Sequence, residues 1–445
     1  MIGLSAERDL YASQFAALAP GRFHSLRKAA FERFVEVGFP HTDQEEWRFT
    51  DVTPIARLAT RPARAAAARE VSALVARFNF GDVQNFPHCP VLHCSRLVFV
   101  NGRFAPEHSV TQKLPPGTRI GSLEAILAEA PELVEPHLAR HAEFRDQPFV
   151  ALNTAFMEEG AVILVPKGAV VEDPIHVLFV TSSDEAPLVS HPRNLFVLGE
   201  SSHVRIVESY AGTDAGAYFT NAVTEIVAGE NAVVDHYRLQ REGERAFHVS
   251  TLQVEQSRSS TVDTFGISLG GALTRNDVNV RLNGEGACSS LNGLYVGGGA
   301  QHVDNHTVID HRKPHGTSRE YYKGILDQKA RGVFNGRIIV RPDAQKTDAQ
   351  QTNKNLLLSK EALANTNPQL EIRADDVKCA HGATIGQLDA DAIFYLRARG
   401  LDLEAARRVL TYAFVADVQN RIRIEPIRAE LERIMFERLA PRLKI

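Results

Sequence analysis

The chain has 445 residues, 44% hydrophobic and 23% charged, which is enough apolar material for a large core in two or three soluble domains. A formal charge of −4 gives no overall basic field to hold a nucleic-acid backbone, and four cysteines are too few for a disulfide-built fold. No run of roughly 18 apolar residues reads as a membrane span, and Glu7, Arg8 and Asp9 interrupt the apolar stretch a signal peptide needs, so a reducing, cytoplasmic compartment is expected.

Residues 1–145 read as a mainly helical N-terminal domain with a little strand. Ser25 is placed to cap a helix whose apolar side carries Leu26, Ala30, Phe31, Phe34 and Val37; Gly38, free to take positive φ, and Pro40, without an N–H, stop it. Leu97-Val98-Phe99-Val100 before Asn101-Gly102 predicts a strand entering a hairpin turn. From Gly117 to Ala139 the pattern is helical, with Leu123, Ile126, Leu127 and Leu133 at helical spacing.

Residues 146–392 change texture. Short β-prone runs, among them Ile175–Thr181, Val223–Val227, Val278–Leu282 and Val333–Val340, follow one another between turn residues without a helical period. An open sheet cannot add so many strands without curling or splitting, so a sandwich, barrel or solenoid is required. Gly199-Glu200-Ser201-Ser202, Gly229-Glu230-Asn231-Ala232 and Gly284-Glu285-Gly286-Ala287 each precede a β-prone run, with starts 30 and 55 residues apart, close to one and two coils of a solenoid. Each leading glycine is expected at a corner with positive φ. Ordinary Gly-Glu turns at accidental spacing explain the pattern equally well at this level.

Residues 393–445 are helical again. Asp402 is the expected cap of a helix with Leu403, Ala406, Leu410, Phe414 and Val418 on one face; Pro426 opens a second with Ile427, Leu431, Ile434 and Leu439. Residues 394–445 hold eleven Arg/Lys and seven Asp/Glu, a local +4 in an acidic chain. Two such helices must pack on the solenoid end or on a partner, as a docking module or as a cap against edge pairing.

Several chemistries are absent. There is no Gly-Lys dipeptide and hence no Walker A loop, and there is no His-Glu-x-x-His; the Gly284 run has Ser289 where a dinucleotide fingerprint wants glycine. The clearest positive feature is Asp375-Asp376-Val377-Lys378-Cys379-Ala380-His381-Gly382. In a strand Cys379 and His381 share a face about 6.5–7 Å apart, and thiolate with imidazole suits iron or zinc. Two ligands are half a site, and a buried thiol beside a hydrogen-bonded histidine is the competing reading. His302, His306, His311 and His315, with Asp304 and Asn305, form a second cluster, read as polar residues lining turns and an interface because no acidic or thiol ligand recurs on matching faces. His88-Cys89 and His93-Cys94 are spaced too loosely for a zinc knuckle.

Several segments resemble the SufB/SufD family of iron–sulfur cluster assembly scaffolds. They are Gly38-Phe39-Pro40 with Glu46-Trp47-Arg48-Phe49-Thr50; Ala151–Phe156, Val165–Gly168 and Pro174-Ile175; and, most densely, His302 to Gly400, with Asp304-Asn305-His306-Thr307, Tyr322-Lys323-Gly324, Phe334-Asn335-Gly336, Ala344–Asp348, Asn355–Ser359 and Asp375–Gly386. Leu396, standing between Tyr395 and Arg397 where the SufB branch carries cysteine, and the Lys378-Cys379-x-His381 pattern place the resemblance in the SufD branch. Arg373 departs from the aromatic usual before the paired aspartates, which leaves packing beside them open.

The resemblance implies a mainly β fold: a right-handed parallel β-helix core between N-terminal and C-terminal helical domains. It implies a scaffold that is not itself an enzyme, pairing with SufB through terminal strands and binding the ATPase SufC through the C-terminal helices. Cys379 and His381 would help ligate iron or a nascent cluster shared with SufB, and no cofactor would be tightly bound by the isolated chain. Whether a flavin joins the full assembly is open, and similar edges would let an isolated chain pair with a second copy as a homodimer. Two other classes compete: a polysaccharide-active β-helix enzyme, which would need clustered acids on one solenoid face, and a homodimeric metal-binding structural protein without an ATPase partner.

Overall fold

The computed structural model of the chain describes residues 4–18, 21–62, 68–77, 92–182, 187–213 and 216–439. From Arg193 to Gly386 successive strands alternate between two parallel sheets, so each strand hydrogen-bonds to the strand two places on. The result is a β-solenoid of about eight turns, with 41% of the chain in strands. The coils stack in register: Val233 pairs with Thr261, then Cys288, Thr317, Asp348 and Lys378 follow, one coil every 30 residues or so. Alternate side chains point into the lumen, where Ile206, Val234, Val262, Ile309, Phe334 and Ile338 form one continuous core.

The short repeat marks real corners, and the conformational reason differs from the expected one. Gly168, Ser201, Asn231, Ser259, Gly286, His315 and Lys346 occupy equivalent corners with φ between 55° and 71°. Their N–H groups donate to the next coil: Ser201 to the Glu230 carbonyl at 2.7 Å, Asn231 to Arg258 at 2.9 Å, His315 to Gln345 at 2.9 Å. The leading glycines, two residues earlier, do not have positive φ. They are glycine because a Cβ at Gly199 would lie 2.5 Å from the Lys167 nitrogen, and one at Gly284 2.0 Å from the Arg258 nitrogen.

The N-terminal end of the solenoid is closed. Ser95–Val100 and Arg103–Phe104 form the expected hairpin, with Asn101 at φ 50° and Gly102 at φ 76°. Arg119–Ser122 is not helical as expected but pairs antiparallel with Ala161–Val165; Ser122 then accepts the Ala125 N–H and starts the helix Leu123–Glu129. Its Leu123 and Ile126 pack on Val162, Leu164 and Leu195; on the following helix, Pro131–Val134, Val134 is buried and Leu133 is exposed. The helix His24–Val37 starts one residue before Ser25, whose side chain makes no cap; Gly38, at φ 68°, ends it as expected. Tyr11, Phe34, Phe39, Trp47, Phe149 and Phe156 cluster over the outer face of one sheet, on Val189, Phe219, Val249 and Leu273. Glu225, fully buried, pins the connection by accepting the N–H groups of Ala139, His141 and Ala142 and pairing with Arg193 at 2.9 Å.

The C-terminal helices do not sit on the solenoid end. Leu403–Gln419, capped by Asp402, and Glu425–Leu439 lie along the outer face of the other sheet. Val415, Val418, Ile427 and Leu431 pack there on Tyr237, Leu239, Phe265 and Leu294. Leu403 faces solvent, so the buried stripe is rotated from the predicted one toward Ala406, Thr411 and Val415. Apolar outer residues on the middle coils of this sheet attract the helices to the flank; the last strand of the same sheet turns Lys378, Ala380, Gly382 and Thr384 outward. Among the described residues no helix is long and apolar enough to cross a membrane.

Candidate functional site: the open end of the solenoid

The last two strands, Leu363–Ile372 and Lys378–Gly386, each pair on one side only, with Arg331–Val340 and Asp348–Leu357 respectively. Every second residue of each therefore turns its N–H and C=O away from the stack, and Pro368 removes one donor, which an edge strand tolerates. Leu363, Ile372 and Ile385 are exposed around the same rim. One end of the solenoid is sealed by antiparallel strands and the other presents bare backbone.

Cys379 and His381 lie on this outermost strand. Cys379 stacks above Ala349 and His381 above Gln351, on the lumenal face, as their spacing predicts. Cys379 is half-buried against the core while His381 is exposed. Burial raises the thiol's pKa above its usual value; the Ala349 N–H opposes this and Asp348 adds to it. Among the described residues no group of three or more His, Cys, Asp or Glu could hold a metal ion, so among them the pair stands as two donors without companions. Beside it Lys346 pairs with Asp376, and exposed Arg373 lies 3.7 Å from Glu371.

The lumen beneath is polar. Gln351 Nε2 donates to Glu320 Oε2 at 2.6 Å. Burial pushes the Glu320 carboxyl up to about 7, against the hydroxyl of Thr307 and the amide of Gln351. Sequence reading missed this column. The available signal was the coil period combined with strand alternation, since Glu320, Gln351 and His381 are 31 and 30 residues apart.

The four-histidine segment is dispersed over three environments. His302 and His306 share the outer face of their strand, His311 is buried in the lumen on Ser318 Oγ at 2.9 Å, and His315 is a corner residue. The outer pair meets the Glu46–Thr50 segment. Thr50 Oγ1 donates to Asp304 Oδ2 at 2.5 Å and lies 2.8 Å from His302 Nε2, and His306 sits 3.2 Å from Glu46 and 3.1 Å from Asp304. Arg275 joins them, donating to Asp304 at 2.7 Å and to the Glu46 carbonyl at 2.8 Å, with its guanidinium 4.0 Å from the Trp47 ring centre. Burial opposes charge on His306, but Asp304 and Glu46 outweigh it and hold its pKa above the usual imidazole value. Asp304, despite burial, is held far below the ordinary carboxylate range by Arg275 and His306. Two motifs 250 residues apart are thus one docking joint. His88 and Cys89 lie outside the described residues; burial pushes the Cys94 thiol up to about 11.

A parallel β-solenoid with one sealed end, one open end and helices laid along its flank defines a β-helix protein. The chain belongs to the SufBD family of iron–sulfur cluster assembly proteins. It matches the core domain of that family (SUF system FeS cluster assembly, SufBD core domain) over residues 179–414 and the SufBD protein N-terminal region over residues 8–177. It is 36% identical to the iron–sulfur cluster assembly SufBD family protein of Synechocystis sp., over 96% of this chain and 94% of that one. It is 32% identical to the iron–sulfur cluster assembly protein SufD of Escherichia coli, over 77% of this chain and 79% of that one. Against Bacillus subtilis it is 28% identical to SufD over 93% of each chain, and 25% identical to SufB over 68% of this chain and 65% of that one.

Proposed function

We propose that this chain is the non-catalytic SufD-type subunit of a SufB–SufC–SufD assembly, and that its open end pairs with SufB so that Cys379 and His381 become ligands for iron or a nascent cluster. The observation that carries the reading is the position of the pair. Both residues lie on the last strand of the solenoid, beside backbone groups with which a strand of another polypeptide can pair. A partner strand added there would bring its own donors within reach of the thiol and imidazole and complete a set of about four. The cargo is a substrate of the assembly. In this chain's part of the chemistry Cys379 gives up its proton on ligation and His381 offers a neutral ring nitrogen.

The C-terminal helices are proposed to bind the ATPase SufC, where ATP would be hydrolysed. Val409, Tyr412 and Phe436 are exposed on helices whose opposite face is anchored to the sheet, and Phe394, 74% exposed, and Tyr395 stand on the preceding helix Ala390–Ala398, which buries none of its residues. Force applied there would reach the solenoid as a rigid unit. The test is iron and sulfide content of the natively purified complex carrying Cys379→Ala or His381→Ala. Loss of cluster with the complex intact is expected; full cluster content in both variants overturns the ligand role. For SufC, Phe394→Asp with Tyr395→Asp is expected to abolish binding while leaving the fold unchanged, and retained affinity overturns the docking surface.

A further inference from the structure

Gln351 occupies an unusual position beneath the half-site. Its amide is 1% exposed, its Nε2 is committed to Glu320, itself 3% exposed, and its Oε1 is buried without a hydrogen-bond partner. With Nε2 turned to Glu320, the carbonyl end is the one left free. Gly336, across the lumen, leaves room for the amide: a Cβ there would lie 2.2 Å from Gln351 Nε2. The next residue in the same column, one ladder step toward the open end, is His381. In-register parallel strands stand about 4.8 Å apart, so the imidazole of His381 and the amide of Gln351 are neighbours in this column.

We propose that Gln351, locked from below by Glu320, is the positioning residue of His381: its Oε1 accepts one ring N–H, which fixes the tautomer and aims the other ring nitrogen out of the open end beside Cys379. A buried amide carbonyl without a donor is costly, and a ligating histidine almost always gives its second N–H to such an acceptor. Glu320 explains the direction of the amide. The ligand role of His381 rests on the reading above, but its orientation does not.

The test is the tautomer of His381 in the full-length chain, read from two-bond nitrogen–proton correlations of 15N-histidine-labelled protein, with His381→Ala to assign the signals. One tautomer is expected in the wild type and in Gln351→Glu, which keeps the acceptor; Gln351→Leu should give the mixture of a free imidazole. A mixed tautomer in the wild type overturns the proposal, and this measurement stands even if the leucine variant fails to fold. In the reconstituted complex with SufB, ferrous iron is expected to bind 10–100-fold more weakly to Gln351→Leu and normally to Gln351→Glu. A tautomer shift with unchanged iron affinity upholds the positioning role and refutes His381 as a ligand.

Discussion

Replacing Arg275 with alanine probes the joint between the N-terminal region and the solenoid. The side chain is 2% exposed and donates to Asp304, to Asp277 and to the Glu46 carbonyl, while its plane lies on Trp47. Its removal leaves Asp304, 1% exposed, with only His306 and Thr50 for compensation. Breaking a buried ion pair from one side costs about 3–5 kcal/mol, and losing the cation–π contact roughly 0.5–2 more. His306 offsets part of this, for a net of about 3–4 kcal/mol. Since 1.4 kcal/mol is tenfold, amide exchange in the Trp47–Val52 segment should quicken roughly 100- to 1000-fold through local opening. Hydrogen-exchange mass spectrometry reads this segment against strand His302–His311, which should change far less. Adding Asp304→Leu to Arg275→Met should recover more than half of the loss, because a buried pair replaced on both sides by apolar groups is close to neutral. A less than threefold change in Arg275→Ala would refute the electrostatic account of the joint.

The same joint should depend on pH through His306. With its folded pKa raised, its contribution is complete below the ordinary imidazole value near 6.5 and is lost as pH rises through the folded value. Exchange at Trp47–Thr50, corrected for intrinsic chemistry, should therefore accelerate over that range in the wild type and not in His306→Gln; identical profiles would contradict this. Asp304, held low, contributes above about pH 3.9 and loses its effect only in stronger acid. Gly284→Ala sets a Cβ 2.0 Å from backbone that cannot yield and should cost about 3 kcal/mol in denaturant titration, whereas Gly382→Ala, with nothing within 4 Å, should change stability by less than about 1 kcal/mol. Equal effects would refute the close-approach argument. Lys323 reaches from the sheet to Asp417 and the Phe414 carbonyl, 4.3 Å from the Phe414 ring centre, so Lys323→Ala should loosen the helix Leu403–Gln419 by about 2 kcal/mol in exchange while the solenoid strands keep their protection. Unchanged helix protection would show the latch to be idle.

Strand content and coil period were legible because lumenal packing demands alternation and stacking demands a fixed corner. The Gly199, Gly229 and Gly284 motifs marked those corners, although inter-coil contact rather than φ selects the glycines. Cys379 and His381 were legible as a pair because strand geometry alone puts positions two apart on one face. What stayed hidden depends on which strands become neighbours. Arg119–Ser122 is helical by local pattern but is claimed by the edge of Ala161–Val165. The C-terminal helices chose the flank because Tyr237, Leu239 and Phe265 face outward there, which no local pattern reports. Arg275 joins the Glu46–Thr50 segment only once the N-terminal region has docked.

The most direct test of the open end is hydrogen exchange of Lys378–Gly386 in the complex with SufB. The outward-facing amides of this strand should become protected, exchanging at least about 100-fold more slowly than unpaired backbone, as strand addition requires. If they exchange at the rate of unpaired chain while SufB is bound, the thiol and imidazole do not lie at a shared junction, and the proposed function fails.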